Sequence, residues 1–175
     1  GPSARQLARA APGRARPGGA ALTTTPTYAS AVSHAEALHR SALVHANHGR
    51  FDLSQRQLRR ALDLLPVDGG LDVERLHVRL LVLLSTMEYE LSGGYSGQAQ
   101  LKTARALAQR VGARDLVFSV HQTLALQALR SSNAAAALTH FAAAETLMGH
   151  APDLDVAKML LNRGALHLEQ LDLDL

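Results

Sequence analysis

Between one glycine or proline break and the next, the apolar residues of this chain recur at helical spacing, and no segment alternates with period two for long enough to be a strand. Leu58, Ala61, Leu62 and Leu65 show it most plainly, standing at i, i+3, i+4 and i+7, the mark of one buried stripe. The kind of apolar residue agrees. Leu and Ala dominate and isoleucine is absent, whereas strands favour β-branched and aromatic side chains. The chain is expected to be all-α.

The breaks divide it into seven expected helices. The first runs from about Pro26 to His48, with Thr25 as N-cap and Pro26 at the first helical position, and stops at Gly49. The second starts behind Asp52 and ends at Pro66 and the Gly69-Gly70 pair. The third starts behind Asp72 and ends at Gly93-Gly94; its apolar run from Leu80 to Leu84 suits a helix sandwiched between neighbours. The others span about Ser96–Val111, Ala113–Arg130, Ala134–Met148 and Asp153–Gln170. Residues 1–25 read instead as a flexible basic arm, broken by Pro12, Gly13, Pro17, Gly18 and Gly19, with a short helix over Ala4–Ala11. Within it, Gly1-Pro2-Ser3 reads as the remnant of a cleaved tag.

The arm holds Arg5, Arg9, Arg14 and Arg16 and no acid. Taking those four from the 18 Lys and Arg leaves 14 against 15 Asp and Glu over residues 26–175, so the body is close to neutral and the basicity sits in the arm. No cysteine is present, which excludes disulfides, thiolate catalysis and Cys-based zinc sites. The longest apolar runs are about half a dozen residues, far short of the ~18 of a membrane span. No apolar stretch follows the N-terminal arginines as a signal peptide would require. A cytoplasmic protein without a membrane partner is expected.

Seven helices joined by short turns fit a bundle or a solenoid, and internal similarity decides between them. With Gly49 at position 15, a unit starting at Ala35 carries Leu38, Ala42, Phe51, Leu58, Ala61 and Pro66 at positions 4, 8, 17, 24, 27 and 32; His45 at 11 and Ser54 at 20 are compromises. The second unit has Tyr89, Gly93 and Tyr95 at 11, 15 and 17 and, with one inserted residue, Ala99, Thr103 and Ala106 in its second helix. The third has Ala125 at 8, Ala137 at 20, Phe141 at 24 and Ala144 at 27, with Ser132 where Gly is usual. The fourth starts near Ala157, with Leu160 at 4, Gly164 at 8, His167 at 11 and Leu173 at 17, where the chain stops in mid-repeat. Over residues 35–175 this pattern resembles the tetratricopeptide repeat (TPR) family, with units about 40 residues apart in place of about 34. The resemblance implies a TPR-like helical-repeat solenoid of about three and a half antiparallel helix pairs over residues 26–175. Its last repeat reads as truncated, because a solenoid closes on a terminal helix with a polar outer face. The chain is therefore expected to be part of something larger.

No P-loop, dinucleotide turn, nucleophile elbow or H-E-x-x-H motif is present. His34, His39, His45 and His48 share the first helix, but no acid at suitable spacing completes a ligand set. No metal, cofactor or catalytic site is expected. In TPR arrays the first helix of each pair lines a concave groove through positions 2, 5, 9, 12 and 13. The resemblance implies Glu36, His39, Leu43, Ala46 and Asn47 in the first unit and Leu80, Leu83, Met87, Glu90 and Leu91 in the second. It implies Ser119, Gln122, Leu126, Leu129 and Arg130 in the third, and Lys158, Leu161, Ala165, Leu168 and Glu169 in the fourth. This set is mostly apolar and suits an amphipathic helix or an extended peptide. Family members that clamp a C-terminal carboxylate use a Lys/Asn pair where this chain has His39 and Leu43, so such clamping is not expected.

The expected function is a protein–protein interaction module, whose partner is a peptide, a protein or another domain of the same full-length chain. Residues Leu160–His167 (LLNRGALH) also resemble TPR arrays of actinobacterial multidomain proteins, including those ahead of CHAT protease domains, and related arrays occur in signalling ATPase regulators. That likeness implies a regulatory or sensor segment. Contact of the basic arm with nucleic acid is the third reading, and self-association through the uncovered last unit a further expectation.

Overall fold

The computed structural model describes residues 27–94 and 96–173, and seven α-helices account for most of them. They are α1 (Tyr28–Asn47), α2 (Phe51–Leu64), α3 (Leu71–Ser92), α4 (Gln98–Arg110), α5 (Arg114–Arg130), α6 (Ala134–Glu145) and α7 (Asp153–Leu173). No strand occurs among the described residues. The expected arm over residues 1–25, the short helix at Ala4–Ala11, Tyr95 and the side chain of Leu173 lie outside them. No helix described is long and apolar enough to cross a membrane.

The helix ends follow local chemistry more closely than the break residues suggest. Thr27, not Thr25, caps α1: its Oγ1 accepts from the Ser30 N–H at 3.3 Å, and the Ser30 hydroxyl donates back to the Thr27 carbonyl at 2.9 Å. Helix α2 begins at Phe51, one residue ahead of Asp52, which places that carboxylate in the positive first turn. Helix α6 stops at Glu145, short of Met148. The Thr146 hydroxyl donates to the Ala143 carbonyl at 2.7 Å, and Met148–His150 form a separate 3-10 turn. Asn133 caps α6 through its side chain, which accepts from the Ala136 N–H at 3.1 Å.

Three hydrophobic cores run along the chain, each built from one helix pair and the first helix of the next. Ala35, Ala42, Leu58 and Ala61 of α1 and α2 close on Leu76, Leu80, Leu84 and Met87 of α3. Val78 and Leu81, on the other side of α3, join Leu101, Ala104 and Ala108 of α4 and Leu116 and Val120 of α5. Phe118 and Ala125 of α5 join Phe141 and Ala144 of α6 and Met159 and Leu166 of α7. Substantial packing joins only helices one place apart, or successive odd-numbered helices. This nearest-neighbour arrangement is consistent with a helical repeat.

The buried residues recur at fixed offsets. Ala42, Ser54, Leu58 and Ala61 lie 7, 19, 23 and 26 residues after Ala35, and all five are sealed from solvent. The same offsets from Val78 give Ser85, Gly97, Leu101 and Ala104, and from Phe118 they give Ala125, Ala137, Phe141 and Ala144, all buried. In two of the pairs these small residues bring the helices into close contact. Ser54 donates to the Ala42 carbonyl at 2.9 Å. A Cβ on Gly97 would stand 2.5 Å from the Ser85 carbonyl oxygen. In the turns, Gly49 (φ +70°) and Ser132 (φ +56°) adopt the same left-handed backbone between α1 and α2 and between α5 and α6.

These offsets correct the second unit. Ala99, Thr103 and Ala106, expected inside, are exposed, and the buried stripe of α4 is Leu101, Ala104, Leu107 and Ala108. Counting from Gly93 places position 8 on Thr86, whereas the sealed small residue is Ser85, one place earlier. The close approach that fixes the register is made by Gly97, just ahead of α4. In the fourth unit Ala157 and Gly164 stand where Phe118 and Ala125 stand in the third, and both are exposed.

Candidate functional site

The first helices of the pairs lie side by side, α1 against α3, α3 against α5 and α5 against α7. Between the first three runs a groove of about 220 Å³, with His39 and Leu43 on one wall, Val82 and Thr86 in the centre, and Leu116 and Ser119 on the other wall. Leu43 remains 39% exposed within it, although the small residues just behind it on α1 are sealed. Arg79 lines the groove, and Arg40 acts on the same His39 ring; neither has an ion pair among the described residues. Burial lowers the pKa of His39, and the charges of Arg79 and Arg40 lower it further, so its imidazole is neutral at pH 7. The groove offers an apolar floor, a neutral histidine and a cationic rim.

Of the residues expected to line it, His39, Leu43, Leu83 and Ser119 do. Met87 and Leu80 do not. They are 2% and 0% exposed, because the one-residue slip in the second unit turns them onto α1 and α2. The corrected register replaces them with Arg79, Val82 and Thr86, all of which face the groove. Glu36 and Asn47 are exposed on α1 without lining it.

Near the ends of α3 and α5, Glu90 and Arg130 pair with each other, and the Arg130 guanidinium lies 5.6 Å from the centre of the Tyr89 ring. This joins two expected groove residues as a clasp between neighbouring units. Gln122 is half-buried and donates to the Asp155 carbonyl at 3.4 Å, which ties α5 to α7; Leu126 beside it is also half-buried. On α7, Lys158, Leu161 and Glu169 are exposed, Leu161 at 74%. They stand apart from the groove between α1, α3 and α5.

A larger hollow of about 520 Å³ opens where α3, α5 and α7 begin, but its charges answer one another. Arg75 forms two hydrogen bonds to the Asp115 carboxylate, and Arg114 lies 3.2 Å from the His150 ring. Deeper in the fold, His121 and His140 share a contact of 3.3 Å between their Nδ1 atoms, which requires one ring to donate and the other to accept. No group of three His, Asp or Glu side chains suited to a metal ion occurs among the described residues.

No protein-family model, curated protein or solved structure matches this chain.

Proposed function

We propose that the chain is a protein-interaction module, a TPR-like repeat that holds a peptide segment of a partner along the groove of its first helices. The observation that carries this reading is Leu43. It is a leucine left partly open to solvent in a groove whose backing residues are packed shut. A groove of about 220 Å³ is smaller than the ~300–1,000 Å³ typical of enclosed small-molecule sites and runs across several helices, which suits side chains of a peptide rather than a cofactor. The rim adds selectivity. Arg79 and Arg40 favour a peptide that places an acidic residue beside its apolar anchor, and neutral His39 offers a hydrogen bond at the same point.

The reading is tested by panning a displayed random-peptide library on the protein and measuring the affinities of the selected peptides. The expected selection carries an apolar anchor with a neighbouring Asp or Glu. Leu43→Glu should reduce affinity by about 2 kcal/mol, some 30-fold, as for an interface hot spot, with the helical circular dichroism unchanged. Peptides that bind Leu43→Glu as well as the unaltered protein would overturn the reading.

A further inference from the structure

Helix α7 has two opposite faces. Met159 and Leu166, seven residues apart, are buried against α5 and α6. On the far side Leu154, Ala157, Leu161, Gly164, Leu168 and Leu171 are all exposed. They follow one another at intervals of three, four, three, four and three residues, the a/d seam of a coiled coil. The four leucines stay 62% to 74% open to solvent, and no described residue covers them.

This seam departs from the matching face of the other first helices. Where α7 has Leu154 and Leu161, α3 has Arg75 and Val82 and α5 has Asp115 and Gln122. There Arg75 bonds to Asp115, and Gln122 to the Asp155 carbonyl, so these positions join one unit to the next through polar contacts. A row of leucines does not continue that arrangement. It matches another apolar seam of the same period, and a second copy of α7 supplies one.

The order of large and small residues fixes the direction of pairing. In an antiparallel contact about a two-fold axis between Asn162 and Arg163, Leu161 faces Gly164 of the second copy, Leu168 faces Ala157 and Leu154 faces Leu171. Large side chains at the centre thus meet small ones, as two closely approaching helices require. A parallel contact would set Gly164 against Gly164 and Ala157 against Ala157, leaving gaps between the leucine layers. The charges agree with the antiparallel register. Lys158 and Glu169 lie on the same flank of the seam, and neither has an ion pair among the described residues. Pairing brings Lys158 of each copy to the height of Glu169 of the other. We propose that two copies of this chain pair through α7, antiparallel about a two-fold axis, with Leu161 of each seated over Gly164 of the other.

The available surface is sufficient. The seam leucines, with Leu160 beside them, leave roughly 500 Å² of apolar surface open on each copy, near the upper end for a monomer. Doubled by the two-fold axis and extended by Ala157, Ala165 and the stem of Lys158, the contact buries roughly 1,200 Å², the lower edge of stable interfaces. Helix α7 is already ordered by α5 and α6, so pairing does not have to fold it. This contact is independent of the peptide groove between α1, α3 and α5.

Sedimentation equilibrium of the full chain tests the proposal. The expected result is a monomer–dimer equilibrium in the micromolar range with no larger species. Leu161→Glu should weaken it about 100-fold with the helical circular dichroism unchanged, since that side chain touches little within its own chain, and Leu43→Glu should leave it unaltered. The chain has no cysteine of its own, so two single variants read the direction of pairing. Mixed and oxidised, Ala157→Cys and Leu168→Cys should cross-link to each other. Neither should cross-link readily to itself, because like positions lie roughly 16 Å apart along the antiparallel seam. A chain that stays monomeric at millimolar concentration, or a dimer that survives Leu161→Glu, would overturn the proposal. So would Ala157→Cys cross-linking to itself as readily as to Leu168→Cys.

Discussion

Gly97 and Gly49 both have positive φ, but only one of them sets a distance between helices. At Gly49 an added methyl would meet nothing within 4 Å, so Gly49→Ala should cost only the left-handed backbone, about 1 kcal/mol. At Gly97 the same methyl would stand 2.5 Å from the Ser85 carbonyl oxygen, on rigid backbone. Gly97→Ala should therefore cost about 2 kcal/mol more than Gly49→Ala in urea unfolding. Equal costs would show that the α3–α4 approach is not close. A second residue-scale effect belongs to His121. Burial, then Arg105 and then His140 lower its pKa to about 4, and burial and Arg105 lower that of His140. A folded pKa below the unfolded value of about 6.5 means that the unfolded chain binds the proton first. Stability should thus be full above pH 6.5 and fall as pH drops toward 4, by on the order of 3 kcal/mol from His121 at most. Urea midpoints measured from pH 8 to pH 4.5 should show this slope, and His121→Gln should flatten it.

At the scale of helices, each core draws on one pair and its successor, so damage should stay local. Phe141 is sealed between α5 and α6, and Phe141→Ala should cost about 3–5 kcal/mol. Hydrogen exchange should quicken in α5, α6 and α7 while α1 and α2 keep their protection, as expected of units coupled only to their neighbours. Uniform loss of protection would indicate a single cooperative bundle. The helices were legible in the sequence because Leu and Ala recur at helical spacing between glycine breaks. The first and third units were legible in depth, since their buried small residues are mostly alanines on helices and keep the expected spacing. The second was not. Its close contact is made by Ser85 against Gly97, a glycine in a turn that already contains Gly93 and Gly94, and nothing in a linear pattern says which of the three meets the neighbouring helix. That ambiguity of one residue moved Leu80 and Met87 from the core to the groove, and it hid Arg79, Val82 and Thr86.

Across the whole molecule, the groove exists because the odd-numbered helices lie side by side while the even-numbered ones back them. Its floor comes from three helices spread over some 80 residues, from His39 to Ser119, so no local motif in the sequence could mark it. The clasp of Glu90 and Arg130 between α3 and α5 should help keep its end in register. Half exposed, that pair contributes no more than about 1 kcal/mol to stability, and Arg130→Ala should affect peptide affinity more than the melting temperature. The most direct measurement is amide chemical-shift mapping of a selected peptide titrated into the full chain. The account predicts perturbations concentrated at His39, Leu43, Val82, Thr86 and Ser119, with α2, α4 and α6 nearly silent. Perturbations centred on the even-numbered helices would contradict it.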